Sequence, residues 1–469
     1  MDAELTSLLE AIVPVGEGGV GAVLEQVPAR RGVLTILGPN DLPVQLLTAS
    51  DMRSRLRARL EQPTDPAQRS KMPDLAEVTA KVGWKLCDSH FEMDLRFLQL
   101  ARRLWPGDYA GQLAWKRPRL VRAEITGAFP HFARADDFAK PGLYLGPFAS
   151  GADADRFIDA VIDGFDLCRN TRMLARSPHG QACVYAELGR CLRACDGTLP
   201  IEQYRVAFAK AAAFAAGDRQ AHRAEVTERM KQSAAALDFE QAAADKQRLA
   251  RLAELDAAAF AHVGTPEQFR YIIVPPSPRK SRSNTFLAIP RQVADGPVLS
   301  YPFQAPQLAK LLEQMAHLDA QALEGPPDVW LMGLVASYLY SSPGRSGLML
   351  RWRPGMSTDD LAKRIDAVAG DLGLAERAKP APRAKKPPDA NAATPDANAA
   401  PDANAATPNA GSQDGAASGA DGAASDADGA ATDADGAAPA DAADSAPPAD
   451  GDRPAGDDRP ASDDPPGRA

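Results

Sequence analysis

Four cysteines are concentrated within 28 residues of this 469-residue chain, which contains only one further cysteine. Their spacing is C-x14-C-x7-C-x3-C, and they are Cys168, Cys183, Cys191 and Cys195. Thiolates are soft ligands, and four of them can surround one zinc ion or an iron–sulfur cluster. The alternative is a group of buried, unpaired thiols, because free cysteine packs like a small apolar side chain. The spacing alone leaves both interpretations open.

Basic side chains form a second group that is suited to binding chemistry. Residues 51–60 predict a helix in which Met52, Leu56 and Leu60, each four residues apart, form a buried face. The arginines between them fan across the rest of the surface, where they can follow a phosphate backbone with salt-dependent affinity. A solvated basic surface is the alternative. The residues predicted to contact DNA are Arg53, Arg55, Arg57 and Arg59 on this helix, and Lys116, Arg117 and Arg119 in a second cluster.

The stretch that begins at residue 387 has a composition unlike the rest of the chain. It lacks all large apolar residues, and its 17 Asp against 3 Arg give a net charge of −14. Since the whole chain carries −9, residues 1–386 carry +5. Such a stretch cannot bury enough apolar surface to offset its ordering entropy, so residues 377–469 are predicted to be a disordered tail. A solvated spacer is the expected role, and a nucleic-acid mimic that competes for the basic body is the alternative.

Targeting signals are not recognised in the sequence. No run of 18 apolar residues is present, so no membrane-spanning helix and no membrane partner are predicted. The N-terminus, with Asp2, Glu4 and Glu10, lacks the basic region of a signal peptide. These features predict a soluble, cytoplasmic protein. In that compartment, clustered cysteines more often bind metals or take part in redox chemistry than form disulfides.

The elements that must position these residues predict an α+β fold. Residues 32–37 and 43–48 are typical of short apolar strands, and the sequence Gly-Pro-Asn-Asp between them predicts a turn. Further strand-like segments lie between residues 115 and 149, followed by a predicted helix over 152–165. Residues 268–352 mix strands with helices and predict a second small α+β domain.

An Ala-rich region over residues 201–255 predicts long helices that break near Gly217 and again at residues 237–240. At the second break, Asp238 with Gln241 three residues later predicts the N-terminal cap of a new helix. A short hairpin of two helices cannot bury an apolar seam alone, so it must dock on its own domain or on a partner. The residues expected to share that seam are Met230, Leu237, Phe239 and Leu249.

In order and spacing, these features resemble the N-terminal half of the UvrC family, the excinuclease subunit of bacterial nucleotide excision repair. The resemblance runs from about Gly32 to Leu252 and covers under half of the full chain. It ends before residue 260, after which no counterpart of the family's second nuclease domain is recognised. The matching pieces are the segment Gly146-Pro147-Phe148, the cysteine run from Cys183 to Cys195, Tyr204, and the UVR-like sequence Leu237-Asp238-Phe239-Glu240-Gln241-Ala242-Ala243.

This resemblance implies an order of domains along the chain. A degenerate GIY-YIG-like α/β domain is expected over residues 1–110, and a UvrC-like linker region with the cysteine cluster over 111–200. A helical region with the UVR-like hairpin is expected over 201–258. An α+β domain of unknown role over 259–376 precedes the tail.

The motifs of the family's GIY-YIG nuclease are mostly replaced here. Leu34 stands where the family has its first tyrosine, and residues 45–48 read Gln-Leu-Leu-Thr instead of a segment with tyrosine, glycine and lysine. The metal-binding glutamate aligns with Phe97, whereas the helical arginine matches Arg55, the one retained candidate catalytic residue. Hydrolysis needs a nucleophile, a carboxylate that holds a divalent metal and a cation. The site is therefore predicted to be inactive and to bind no divalent metal, unless Glu92 or Asp94 supplies a displaced carboxylate.

The resemblance further implies cofactors and partners. It implies that the four cysteines hold a [4Fe-4S] cluster, with zinc as the alternative, and that DNA and a UvrB-like protein are partners. The predicted function is a DNA-binding, UvrB-docking accessory in nucleotide excision repair. The alternatives are a working excinuclease subunit and a redox-sensing interaction protein that does not act on DNA. The residues implied to contact UvrB are Leu237, Asp238, Phe239, Glu240, Ala242 and Ala243.

Overall fold

A computed structural model of the chain describes residues 3–61, 75–217, 219–279, 281–321 and 325–374, called the described residues below. They contain helices and antiparallel sheets within one compact unit, so the α+β prediction is confirmed. The predicted disordered tail over residues 377–469 lies outside them. Among the described residues, no helix is both long enough and apolar enough to cross a bilayer.

The first sheet has four antiparallel strands in the order β1-β4-β2-β3. They are Ala11–Pro14 (β1), Gly32–Leu37 (β2), Pro43–Ala49 (β3) and Lys81–Leu86 (β4). The two strands predicted around the turn are confirmed as β2 and β3. Between them Asn40 and Asp41 adopt left-handed backbone conformations, with φ of 57° and 62°. Asn and Asp tolerate this region better than most residues, which explains why the sequence turns here.

Helices cover both faces of the first sheet. They are Ala3–Leu8 (α1), Gly19–Gln26 (α2), Met52–Leu60 (α3), Leu75–Val78 (α4) and His90–Leu104 (α5). Successive residues of β2 point to opposite sides of the sheet. Leu34 belongs to a core with α2 and α3, whereas Val33 and Leu37 belong to a separate core with α1 and α5. Helices α3 and α5 therefore pack on opposite faces of one sheet.

The second sheet supports the cysteine region. Its three antiparallel strands, in the order β6-β5-β7, are Arg119–Glu124 (β5), His131–Ala135 (β6) and Leu143–Phe148 (β7). Helix α6, Gly151–Gly164, begins where the Ser150 side chain accepts the N–H of Asp153. Phe157 of α6 is fully buried in the core of this sheet. Two short helices, Thr171–Leu174 (α7) and Val184–Glu187 (α8), lie in the loops that carry the cysteines.

Three longer helices follow, Ile201–Ala216 (α9), Arg219–Ala235 (α10) and Phe239–Ala253 (α11). Both predicted breaks are confirmed, since α9 ends at Gly217 and Asp238 accepts the N–H of Gln241 at 3.0 Å. Helices α10 and α11 form the hairpin. The predicted apolar seam is wrong at Leu237 and Phe239, which are exposed. Burial is concentrated instead at the open end of the hairpin, because that end packs on α6.

The third sheet is an antiparallel sheet in the order β11-β10-β8-β13, accompanied by the two-stranded pair β12-β9. The strands are Tyr271–Val274 (β8), Arg282–Ser283 (β9), Phe286–Ile289 (β10), Gln292–Asp295 (β11), Leu299–Ser300 (β12) and Leu348–Arg351 (β13). The helices are Ala305–Ala320 (α12), Val329–Leu339 (α13), Pro343–Ser346 (α14) and Thr358–Asp366 (α15). Ile272 packs with α12 and α15, whereas Ile273 faces α13 and α5. Strands and helices thus mix in this region as the sequence predicts, and its division into a separate domain stays a prediction.

Helix α5 belongs to the cores of the first and third sheets. Leu100 packs toward the first sheet, whereas Phe91 and Leu98 pack with the third. The Tyr338 hydroxyl of α13 donates to Asp94 of α5 at 2.5 Å. The same helix thus joins two regions that are far apart in sequence. The predicted domain boundaries at residues 110, 200 and 258 stay predictions.

Candidate functional site

Helix α3 presents its arginines as the sequence predicts, because Met52, Leu56 and Leu60 are buried beneath them. Arg53 donates to the carbonyls of Val27 at 2.8 Å and Glu25 at 3.3 Å, and Arg57 lies 3.4 Å from Glu61. Arg55 and Arg59 make no ion pair and no side-chain hydrogen bond with the described residues. These two are therefore the cations of α3 best placed to meet an external anion.

The residues at the nuclease positions lie on both sides of the first sheet. Leu34 faces Leu47 in the β2–β3 ladder, and both are buried in the core on the α3 side. Phe97 packs into the core on the α5 side. Gln45 is half-buried, and its Oε1 has no hydrogen-bond partner among the described residues. Because Leu34 is fully buried and Phe97 lies across the sheet, they do not line one cleft with Arg55.

The two carboxylates that were candidates for a displaced metal ligand make other contacts. Glu92 is buried and accepts the N–H of Asp88 at 2.8 Å and the Asn284 amide at 3.3 Å. Asp94 accepts the hydroxyl of Tyr338. Burial raises the pKa of both carboxyls. Both make their contacts on the α5 side of the first sheet, away from α3.

The four cysteines are free thiols in the loops between α6 and α9. Cys183 stands just before α8, and Cys195 is buried further along the same loop. The N–H of Gly180 donates to the Cys195 carbonyl at 2.8 Å, which joins the two halves of the loop. The N–H of Cys168 donates to the Tyr204 hydroxyl at 3.2 Å, so Tyr204 supports the cysteine region directly.

The donor set matches a four-thiolate metal centre in number and type. Burial raises the pKa of Cys168 to about 11, and the thiols of Cys195, Cys191 and Cys183 add to the rise. The thiols are therefore near enough to influence one another. Among the described residues, however, no three His, Cys, Asp or Glu side chains converge closely enough to hold a metal ion as they stand. The four thiols match an iron–sulfur or zinc centre in ligand type and number. That they hold one stays a prediction.

The second basic cluster is exposed at the entrance to β5. Arg117 lies 3.6 Å from Asp137, and its guanidinium is 5.4 Å from the ring centroid of Trp330. Lys116 and Arg119 form no ion pair within the described parts of the chain. The structure therefore brings an aromatic side chain from α13 to a cluster that the sequence predicts from its charge alone.

A buried ionic group that sequence analysis missed fixes the open end of the hairpin. The Asp245 side chain is 0% exposed and accepts hydrogen bonds from Arg229 at 2.6 and 2.8 Å and from Arg248 at 2.6 Å. Arg248 also pairs with Asp166, just beyond α6. The hydrogen bonds from Arg229 hold the pKa of Asp245 below its usual range. This group ties α10, α11 and the end of α6 together.

Apolar packing completes this end of the hairpin. Leu252 is fully buried, and a Cβ added at Gly164 of α6 would lie only 2.3 Å from its Cδ2. Glycine at this position therefore allows the helices to approach closely. Arg251 donates to the carbonyl of Asp163 at 3.2 Å. The hairpin base is defined as Val226, Arg229, Asp245, Arg248 and Leu252.

The other end of the hairpin leaves apolar side chains in solvent. Leu237 is 73% exposed and Phe239 is 66% exposed. Leu237 also has a φ of 61°, in the left-handed region that a bulky side chain rarely adopts. Ala242 is half-buried and Ala243 is exposed on the first turns of α11. The hairpin tip is defined as Leu237, Asp238, Phe239 and Glu240.

Asp245 and Trp330 are the residues of these surfaces that sequence analysis missed. The three-residue spacing of Asp245 and Arg248 is a signal for an ion pair on one helix, but it does not reveal burial. Trp330 lies more than 200 residues from the second basic cluster, and nothing local in the sequence signals that it packs beside Arg117.

Comparison with protein-family models matches residues 120–214 to the middle domain of UvrC/Cho excinucleases. The UvrABC system protein C of Moorella thermoacetica is 25% identical over 258 residues, which cover 51% of this chain and 41% of that protein. Its namesake in Mesorhizobium japonicum is 30% identical over 156 residues, or 30% of this chain and 22% of that protein. The UvrABC system protein C of Nitrobacter winogradskyi is 24% identical over 280 residues, which cover 57% of this chain and 38% of that protein. No solved structure gives a significant match.

The chain spans about two fifths or less of the length of these relatives. The family-model match begins in β5 and ends in α9, so it contains the second sheet and all four cysteines. This is also the part of the chain in which Tyr204 contacts Cys168. The predicted resemblance is therefore confirmed: residues 120–214 match the middle domain of UvrC/Cho excinucleases, and about half of the chain is similar to UvrABC system C proteins.

Proposed function

We propose that this chain is an accessory protein of nucleotide excision repair that binds DNA and docks a UvrB-type partner, and that its GIY-YIG nuclease site is lost. The observation that carries the proposal is the exposed apolar tip of a helical hairpin on a UvrC-family scaffold. The matched relatives are named as proteins of a UvrABC system. A docking function for this chain is consistent with that setting.

Two properties of the tip favour recognition over stability. Leu237 and Phe239 together expose most of their apolar surface, although burying such a side chain typically stabilises a protein by about 1.5–3 kcal/mol. Leu237 in addition holds a left-handed backbone conformation that costs about 1–2 kcal/mol for an L residue. An exposed and strained leucine beside an exposed phenylalanine is typical of a small hydrophobic docking site.

The hairpin base supports the same function because it gives the tip a fixed direction. Asp245 on α11 joins α10 through Arg229, and its other partner, Arg248, reaches Asp166 of the body. A docking element held rigidly in this way loses little entropy when a partner binds. Asp238 and Glu240 surround Phe239 with negative charge, so the complementary partner surface carries an apolar pocket with basic residues near it.

Loss of the nuclease is supported by the surroundings of the replaced residues. Leu34 and Phe97 fill separate cores, and neither can polarise water or hold a divalent cation. Arg55 remains exposed on α3, without a carboxylate ligand beside it among the described residues. A lone guanidinium can bind phosphate, but it does not supply the nucleophile and the metal that hydrolysis needs.

DNA binding is assigned to two clusters, and first to their cations that make no ion pair with the described residues. On α3 these are Arg55, which is exposed, and Arg59, which is half-buried, while Arg53 and Arg57 are largely held by contacts within the chain. Lys116 and Arg119 form the second cluster together with Arg117. Affinity for duplex DNA should therefore fall steeply as salt is raised, by a factor set by the number of phosphates contacted.

The four cysteines are proposed to hold a [4Fe-4S] cluster, with zinc as the alternative. When bound, either group would cross-link the loops between α6 and α9 through Cys168, Cys183, Cys191 and Cys195. Metal and sulfide analysis of protein purified without oxygen, with a visible absorption spectrum, distinguishes the two. Iron with acid-labile sulfide supports the cluster, and zinc without colour supports the alternative. Protein that contains neither iron nor zinc would contradict both assignments.

The experiment that tests docking is capture of the full chain by immobilised UvrB. Phe239→Ala should lower capture at least tenfold, because a central aromatic anchor contributes most to a small interface. Leu237→Gly should also lower capture, while relieving the backbone strain. Val206→Ala is the matched control, since Val206 is an equally exposed apolar residue on α9. Equal capture of all four proteins would contradict the docking proposal.

The nuclease proposal is tested with lesion-bearing duplex DNA and Mg²⁺ or Mn²⁺. The strands should stay intact at every protein concentration that binds the duplex. Incision that disappears in Arg55→Ala would show that the first sheet is a working nuclease. Absence of any DNA binding at low salt would instead favour an interaction protein that does not act on DNA.

A further inference from the structure

The second basic cluster lies beside two adjoining cavities of about 400 and 510 Å³. Both cavities are lined by Trp115, Lys116, Arg117 and Arg119. The larger also reaches Trp330, and the smaller reaches Tyr340 and Arg345. The two cavities form one concave surface, called the basic–aromatic groove.

The groove exists because α13 packs tightly against the segment that leads into β5. A Cβ added at Gly333 would lie 2.4 Å from the Lys116 carbonyl, so only glycine allows this approach. The indole N–H of Trp115 donates to the Trp330 carbonyl at 3.0 Å and locks the two segments together. Residues 116–119 therefore face a wall built by residues more than 200 positions away in the sequence.

Charge in the groove is predominantly positive. Lys116 and Arg119 are exposed and make no ion pair with the described residues, and Arg345 lies over the Tyr338 ring at 5.1 Å. Two carboxylates also line the cavities, Asp94 and Asp136. Four cations therefore face two carboxylates in the groove, which leaves it with a net positive charge.

The aromatic part of the groove is a stacking platform. Trp330 is only partly buried, and the Arg117 guanidinium lies 5.4 Å from its ring centroid. Arginine and aromatic planes are the surfaces on which unpaired bases stack in single-strand binding proteins. Duplex DNA offers its phosphates to a basic surface but keeps its bases stacked inside, so it would leave such a platform unused.

We propose that the basic–aromatic groove binds unpaired nucleotides of a single DNA strand. Lys116 and Arg119 contact successive phosphates, and a base stacks on Trp330. This inference rests on the proposed DNA binding and adds that the protein prefers DNA with an unwound segment. The α3 arginines contact the neighbouring duplex.

The test is fluorescence anisotropy of the full chain with a labelled single strand and with its duplex. Lys116→Gln combined with Arg119→Gln should weaken single-strand binding at least tenfold and lower the salt slope by about 1.4, which is two phosphates at about 0.7 each. Trp330→Ala should weaken it about fivefold or more with an unchanged salt slope. Trp330→Phe should restore most of the loss, because a phenyl ring also stacks.

Lys231→Gln combined with Lys246→Gln is the matched control, with the same change of charge at exposed sites on α10 and α11, and it should leave single-strand binding within about twofold. Arg55→Gln combined with Arg59→Gln should instead weaken duplex binding. Intrinsic tryptophan fluorescence gives a second readout, since quenching by a single strand should be lost in Trp330→Phe. Thermal melting verifies that each variant is folded.

The outcomes separate the two proposals. If the parent binds DNA and neither groove variant changes single-strand affinity, the groove inference is wrong and the proposed DNA binding stands. If the parent binds no DNA of any form at low salt, the DNA part of the proposed function fails as well. Binding of single-stranded RNA in preference to DNA would overturn the assignment of the ligand.

Discussion

The two ends of the helical hairpin are built in opposite ways. The base buries charges, with Asp245 completely removed from solvent, whereas the tip leaves Leu237 and Phe239 in water. Globular proteins usually do the reverse, since charged groups are rarely buried and large apolar groups rarely exposed. This difference indicates that one end of the hairpin stabilises the fold and the other end is available to bind a partner. Substitutions at the base should therefore destabilise the protein, and those at the tip should not.

The largest effect is expected at the apolar part of the base. Leu252→Ala should lower the free energy of unfolding by about 3–4 kcal/mol, because the cavity forms against Gly164, where the helices are closest. Urea unfolding of the full chain followed by circular dichroism measures this change. Val206→Ala, at an exposed site, should stay within about 0.5 kcal/mol of the parent. A loss below about 1 kcal/mol for Leu252→Ala would mean that the base is not a rigid anchor.

A somewhat smaller loss is expected when the buried charge is removed. Asp245→Asn should cost about 2–3 kcal/mol, since Arg229 and Arg248 lose their charged acceptor. Water partly compensates, because Arg229 remains 41% exposed. Glu240→Gln is the matched control, an exposed acid on the same helix whose loss should barely change the urea midpoint. Equal midpoints for the two variants would show that the ionic group does not hold the base.

Lowering the pH should reduce the stability that Asp245 gives to the hairpin base. The pKa of Asp245 is lower in the folded chain than the value of about 3.9 for an unfolded Asp. Its stabilising contribution is therefore complete above about pH 4 and is lost as the pH falls through the folded pKa. Unfolding free energies measured between pH 5 and pH 2 should decrease more for the parent than for Asp245→Asn. Parallel pH profiles would contradict this assignment.

The smallest effects on stability are expected at the tip. Phe239→Ala should change the free energy of unfolding by less than about 0.5 kcal/mol, because the side chain is exposed. Leu237→Gly should leave it unchanged or raise it by up to about 1 kcal/mol, since glycine adopts the left-handed conformation without strain. The urea midpoint compared with UvrB capture separates the two roles. A large loss of stability in either variant would remove the contrast between base and tip.

Local features of the hairpin and of the first sheet were predictable because neighbouring residues determine them. Gly217 ends α9, Asp238 caps α11, and the two residues at positions 40 and 41 turn the chain between β2 and β3. Burial of the α3 face also followed from the four-residue spacing of its apolar side chains. In each case, the physical cause lies within one or two turns of the chain.

The environments of the binding residues were not predictable in the same way. Periodicity marks Leu237 and Phe239 as core candidates, but their exposure depends on which end of the hairpin meets α6. That choice is made by Arg248 and Leu252 through contacts with residues about 80–90 positions away. The Lys116 cluster was visible from its charge, whereas Trp330 reaches it only through tertiary packing. Whether the four cysteines hold a cluster is likewise beyond what their spacing can decide.

Helix α5 determines how this protein can be dissected. Since Phe91 and Leu98 are covered by the third sheet, a fragment that stops at residue 110 would leave them bare and deprive Asp94 of its hydroxyl donor. Such a fragment would aggregate through the apolar face of α5 that this truncation exposes. Because α5 contributes side chains to the cores of both sheets, heating should unfold the first and third sheets in one cooperative transition.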